Sequence, residues 1–134
     1  MERFRRMQIL GSGAFGAVYK ALDTASDQMV AIKKMKSRRQ HRQDPALLPE
    51  VRALTKLKHP FIVRLLEVVR ESSALYMIFE VLEEDLSKML RRRKGNPLTE
   101  DEVRNLSFQI LTGLEHVHQN GFFHRDLKPE NVLM

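Results

Sequence analysis

A chain of 134 residues, 43% hydrophobic and 30% charged, has room for one domain or less and enough apolar mass to build a core. It has no cysteine, which excludes disulfides and thiolate metal centres. The net charge of +6 is concentrated in Lys33–Arg42 and Arg91–Lys94, but no interleaved aromatics or nucleic-acid motif accompany it. A solvated surface is therefore expected there, also suited to an anionic nucleotide or an acidic protein partner; nucleic acid is not expected. No apolar run reaches the about 18 residues of a membrane span, and Met1–Arg6 lacks the apolar core of a secretory signal. The expectation is an intracellular protein without a membrane span.

Three strands are expected over residues 4–35. Phe4–Gly11 leads into Gly11-Ser12-Gly13-Ala14-Phe15-Gly16, and Ala17–Ala21 then alternates as a strand ending at Asp23. A polar turn, Thr24–Asp27, precedes a third strand, Gln28–Met35, with the apolar run Met29-Val30-Ala31-Ile32. A glycine pattern of this spacing also opens dinucleotide-binding helices. Here Val18 and Tyr19 follow the glycines, so a strand–loop–strand flap is expected, with an ordinary glycine-rich hairpin as the alternative. Glycine permits positive φ and close backbone approach, so the amides can face phosphate oxygens. Lys33, seventeen residues after Gly16, closes Val30-Ala31-Ile32-Lys33; its alternative is an exposed strand-end lysine.

Residues 36–44 carry no large apolar side chain and are expected to form a loop. Asp44-Pro45 reads as an N-cap with proline at the first helical position. Leu47, Leu48, Val51, Leu54 and Leu57 repeat at helical spacing to about Lys58. Pro49 conflicts with that helix, which should kink or start late there. Glu50 is its acidic candidate. His59-Pro60 ends the helix, and Phe61–Arg70 and Leu75–Phe79 are expected as strands around the turn 71–73.

Glu80-Val81-Leu82 follows. Asp85 reads as the N-cap of a short helix, Leu86–Arg93. After the break Gly95-Asn96-Pro97, Thr99 and Glu102 make a capping box. Val103, Leu106, Ile110, Leu114 and Val117 form an apolar stripe, broadened by Phe108 and Leu111, so a long core helix should stop at Gly121. His124-Arg125-Asp126-Leu127-Lys128-Pro129-Glu130-Asn131 then packs an imidazole, two cations, two carboxylates and an amide into eight residues. Such density suits a loop that handles a charged substrate; its alternative is a polar turn after a helix. Val132-Leu133-Met134 reads as the start of a strand.

The glycine loop, Val-Ala-Ile-Lys, the helix glutamate and HRDLKPEN, in that order, resemble a eukaryotic protein kinase over essentially all 134 residues. Lys128 within Asp-Leu-Lys-Pro-Glu-Asn is similar to the serine/threonine branch. Phe79-Glu80-Val81-Leu82 with Asp85, and Gly121-Phe122-Phe123 before the loop, resemble the cyclin-dependent and MAP kinase supergroup, and within it the male-germ-cell-associated and intestinal-cell kinase group. The resemblance implies an α+β fold. Residues 1–79 would be a five-stranded antiparallel N-lobe with one helix, 80–84 a hinge, and 85–134 the first helices and catalytic loop of an incomplete helical C-lobe.

It also implies ATP and Mg2+ as cofactors and protein substrates bearing Ser or Thr hydroxyls. Leu10, Gly11, Ser12, Gly13, Ala14, Phe15, Gly16, Val18, Ala31, Lys33, Glu80, Leu82 and Asp85 would line the nucleotide. The hinge would hold adenine by backbone groups, with Phe79 behind it and Asp85 near the ribose. Lys33 would meet the α- and β-phosphates, paired with Glu50. Asp126 would accept the substrate hydroxyl's proton, Lys128 would sit near the transferred phosphoryl group, and Asn131 would ligate magnesium. Cytoplasmic, nuclear or ciliary residence would follow. The 134 residues contain neither Asp-Phe-Gly nor Ala-Pro-Glu. A fragment or truncated product, inactive alone, is therefore expected, with a non-catalytic ATP-binding or protein-interaction module as the alternative.

Overall fold

The computed structural model describes residues 1–13, 16–35, 48–71 and 74–134. The backbone forms two units, residues 1–56 with 64–81, and residues 57–63 with 82–134.

The first unit is built on a five-stranded antiparallel sheet. Its strands are β1 (Phe4–Gly13), β2 (Gly16–Asp23), β3 (Gln28–Met35), β4 (Leu65–Glu71) and β5 (Ala74–Glu80), in the order β1-β2-β3-β5-β4. β3 has the bounds expected from its apolar run. Strand side chains alternate between faces. One face gathers Phe4, Ala21, Val30, Ile32, Tyr76 and Ile78 into a buried cluster. The other carries Ala31, Lys33, Met77 and Phe79. At the edge, buried Asp23 accepts from the Arg3 guanidinium and, at 3.0 Å each, from the Ala25 amide and the Ser26 hydroxyl. These bonds hold its carboxyl well below the usual range, the Arg3 hydrogen bond being the main cause.

Among the described residues of this unit the helix is α1 (Pro49–Lys56). It starts later than the apolar repeat implies, because Pro49 occupies the first helical position, where its missing N–H costs nothing. The Leu48 carbonyl accepts the Arg52 amide at 2.9 Å, so the helix begins at that bond. The loop expected at 36–44 and the cap at Asp44-Pro45 lie outside the described residues.

Phe61–Val63 is not strand, contrary to the reading of Phe61–Arg70. His59-Pro60 turns the chain instead: the His59 carbonyl accepts from Ile62, and its Nδ1 from Phe61, at 3.1 Å each. Residues 57–63 belong to the second unit. There α2 (Leu86–Arg92) and α3 (Glu100–Gln119) are the helices. Thr99 and Glu102 form the expected reciprocal capping box. Gly113 lets the 57–63 segment approach α3, since a Cβ there would lie 3.1 Å from the Phe61 carbonyl. Val117 is buried, but Val103, Phe108 and Leu111 remain largely exposed. The basic cluster is mostly built into this unit: Arg92 pairs with Glu84, Arg93 with Glu102 at 2.7 Å, and Arg91 donates to the Ser87 hydroxyl at 2.7 Å. Among the described residues no helix is long and apolar enough to cross a membrane.

Candidate active site

In the first unit the glycine segment is a hairpin rather than a loop spanning Gly11–Gly16. Gly11 pairs with Val18, Ser12 with Ala17 and Gly13 with Gly16. Ala14 and Phe15 lie outside the described residues, and Leu10 is half-buried. Gly16 is required by both conformation and space. Its φ is +144°, and a Cβ would sit 2.1 Å from the Lys34 carbonyl oxygen. Register then lines up the candidates. Gly11, Val18, Lys33 and Met77 lie in one row across the sheet, and Lys20, Ala31 and Phe79 in the next.

Lys33 projects from that face to α1, where its Nζ meets Glu50 Oε1 at 2.6 Å. Proline at the first helical position puts Glu50 at the second, in the turn that favours an anion. The pair is partly solvated, with side-chain exposures of 21% for Lys33 and 42% for Glu50. It adds little stability; its effect is to aim an otherwise flexible lysine.

β5 ends at Glu80. The Glu80 amide donates to the Arg64 carbonyl at 3.2 Å, and the Arg64 amide donates to Glu80 Oε1 at 2.7 Å. Nothing local in the sequence points to this clasp.

In the second unit Asp85 caps α2. Its Oδ1 accepts the Lys88 amide at 2.8 Å and its Oδ2 meets Lys88 Nζ at 3.1 Å. Burial pushes this carboxyl upward, but the bonds from Lys88 outweigh that and hold it low. Val132–Met134 makes a single bridge, Asp85 with Leu133, in place of the expected strand. The Met134 carbonyl accepts the Glu83 amide at 2.8 Å, and the Met134 amide donates to the Glu84 carbonyl at 2.9 Å. The end of the polar loop is thereby tied to the residues just after Leu82.

That loop is held by its own side chains. Gly121, at φ 78°, reverses the chain after α3, and Arg125, at φ 65°, reverses it again immediately before Asp126. A non-glycine residue in that region is strained, and such strain tends to be kept where a side chain must be aimed. Asp126 Oδ2 lies 2.9 Å from Lys128 Nζ, and Asn131 Nδ2 donates to the same oxygen at 3.1 Å and to the Asp126 carbonyl at 2.8 Å. The Asp126 amide donates to His124 Nδ1 at 3.3 Å. Pro129–Asn131 forms a 3-10 turn that brings Asn131 back to Asp126. The Lys128 hydrogen bond is the main cause holding the Asp126 carboxyl below its usual range, and the Lys128 ammonium is raised in return. Asp126 is therefore an exposed anion at neutral pH with an aimed carboxylate.

A sheet-borne lysine held by a helix glutamate, and an aspartate bracketed by Lys128 and Asn131, stand beside a match to the protein kinase domain over residues 4–134. The chain belongs to the protein kinase family. The sheet with α1 is the kinase N-lobe, and α2, α3 and the polar loop form part of the C-lobe. Cyclin-dependent kinase F-3 of Oryza sativa subsp. japonica is 45% identical over 134 residues, which is 100% of this chain and 31% of that protein. The serine/threonine-protein kinase ICK of Rattus norvegicus is 43% identical over 133 residues, 99% of this chain and 21% of that protein. The serine/threonine-protein kinase MAK of Homo sapiens is 41% identical over the same shares. The kinase supergroup indicated by the motifs agrees with these relatives. The chain spans less than a third of the length of each.

Proposed function

We propose that this chain carries the nucleotide-binding and proton-accepting parts of a serine/threonine protein kinase, which moves the γ-phosphoryl group of ATP to a protein Ser or Thr hydroxyl. The observation that carries it is the Lys33–Glu50 pair at 2.6 Å, set in the same sheet row as Gly11 and Val18. In this reading residues 1–79 form the N-lobe, 80–84 the hinge and 85–134 the start of the C-lobe. The glycine hairpin faces the phosphates with backbone amides, and Lys33 supplies a point charge for the α- and β-phosphates. The hinge backbone takes the adenine. An intracellular setting, where ATP is supplied, goes with it.

Asp126 accepts the proton as the hydroxyl attacks. It is anionic and aimed, and Lys128 beside it adds positive charge where negative charge gathers on the phosphoryl oxygens. Asn131 fits a hard cation, because its amide nitrogen is committed to Asp126 and leaves the amide oxygen as a ligand. Magnesium, when bound, would offset phosphate charge and align it. Among the described residues no group of three or more His, Cys, Asp or Glu is placed to hold a metal. The 134 residues contain neither Asp-Phe-Gly nor Ala-Pro-Glu; made alone they are expected to bind nucleotide and to turn it over no faster than an Asp126→Asn control.

Titration with ATP tests this reading. Lys33→Met removes the charge, keeps most of the bulk and should weaken binding about tenfold or more, the scale of a charge-assisted contact, without lowering the melting temperature. Equal affinity in the two chains would remove Lys33 from the phosphate site. Phosphate transfer to a protein substrate that vanishes in Asp126→Asn would show that these residues suffice for turnover.

A further inference from the structure

The antiparallel rung at the end of β5 is incomplete in an informative way. A hydrogen-bonded antiparallel pair exchanges both N–H···O bonds. Arg64 and Glu80 exchange one through the backbone, Glu80 amide to Arg64 carbonyl at 3.2 Å. The return bond, from the Arg64 amide, goes at 2.7 Å to Glu80 Oε1 instead of the Glu80 carbonyl. The carboxylate thus stands in for the carbonyl of its own residue. The charge is not what matters: Arg64 Nε and Glu80 Oε2 are 3.8 Å apart, and the arginine side chain is 70% exposed, so the ion pair is screened and weak. The bond from the Arg64 amide to the Glu80 carboxylate is the working contact. Its consequence falls on the main chain: the Arg64 amide leaves the Glu80 carbonyl out of this rung, at the last residue of β5. Glu80 follows Phe79, which lies opposite Ala31.

We propose that Glu80 is a positioning residue for base recognition: its side chain satisfies the Arg64 amide so that the Glu80 carbonyl stays free to accept a hydrogen bond from the exocyclic amino group of adenine. The proposal rests on the nucleotide-binding reading above. It assigns a role to the side chain where a backbone-only hinge leaves side-chain identity open. In this proposal, removing the carboxylate lets the Arg64 amide turn to the residue-80 carbonyl and complete the rung. Replacing it by an amide keeps an oxygen in the same place.

The test compares ATP with purine riboside triphosphate, which lacks the 6-amino group, by titration of the 134-residue chain. The original chain should prefer ATP. Glu80→Ala should lose that preference about five- to tenfold, the worth of one neutral hydrogen bond, while Glu80→Gln retains it. A merely structural role would lower affinity for both nucleotides equally and leave their ratio unchanged. The proposal is overturned if Glu80→Ala keeps the full preference, if Glu80→Gln loses it as alanine does, or if the original chain binds both nucleotides equally. Binding of neither nucleotide by the original chain is a separate result, which overturns the nucleotide-binding reading and this proposal with it.

Discussion

The two units solve the same problem differently. The first positions Lys33 and Glu50 from behind a closed core: Ile32, Leu75, Met77 and Ile78 are nearly sealed from solvent. The second positions Asp126 with polar bonds only a few residues long, while Phe108 and Leu111 on α3 stay more than 60% exposed. A lysine aimed across seventeen residues of sequence needs a rigid sheet and a helix to meet it. An aspartate whose partners lie two and five residues on needs only a strained turn. Damage to the core should therefore disable the first unit and barely register in the second.

The largest contrast comes from truncating side chains. Ile32→Ala empties a fully buried site in the cluster around Val30, Tyr76 and Ile78, and should cost about 3 kcal/mol. Leu111→Ser, at a site 64% exposed, should change stability by about 0.5 kcal/mol or less. It should also reduce self-association, because apolar patches left in water drive it. Thermal melts at several concentrations check both. Equal losses at the two positions would mean that α3 is buried in solution.

Two glycines sharpen the comparison. Gly16 and Gly121 both have positive φ, but only at Gly16 does a Cβ meet backbone, 2.1 Å from the Lys34 carbonyl oxygen; at Gly121 nothing lies within 4 Å. Gly121→Ala should cost about 1 kcal/mol, the left-handed penalty alone. Gly16→Ala should cost about 2 kcal/mol or more, because strain adds to it, and it should force the β2–β3 rung apart. Denaturant melts of both variants give the ratio. A Gly16→Ala chain no less stable than Gly121→Ala would show that the hairpin relaxes freely around the new methyl group.

Local chemistry explains what was legible beforehand. β3 could be bounded because an apolar run met a polar turn. The caps at Asp85 and Thr99 could be named because each is a side chain bonding an amide three residues on. The apolar stretch Phe61–Val63 misled because composition resembles strand whether its amides go to a ladder or to His59. The arrested strand at 132–134 and the Arg64–Glu80 clasp depend on which segments meet in space, and no spacing encodes that. Glu50 as partner of Lys33 came from the family resemblance; the residues alone offered only a helix glutamate. Arg125 shows no composition signal for its positive φ, because arginine has no special preference for it.

The smallest effect lies in the second unit's polar framework and is read by pH. Glu102 accepts from Arg93 at 2.7 Å and from the Thr99 amide at 2.8 Å. The Arg93 hydrogen bond is the main cause lowering its carboxyl from 4.5 to about 2. A depressed carboxyl stabilises the fold wherever the unfolded chain would bind a proton that the folded chain refuses. The contribution is complete above pH 4.5, declines as pH falls toward 2, and is gone below that. Glu102→Gln keeps an oxygen for the Thr99 amide and removes the charge. Arg93 is not stranded, since it also donates to the Asn96 carbonyl at 3.3 Å and the Pro97 carbonyl at 3.1 Å. Other carboxyls, Asp23 above all, titrate in both chains and cancel in the difference. The original chain should therefore melt slightly above Glu102→Gln at pH 6, and the gap should close as pH falls from about 4.5 to about 2. A gap that stays constant across that range would mean that Glu102 acts through shape alone, and that the second unit depends less on charge than its exposed helix suggests.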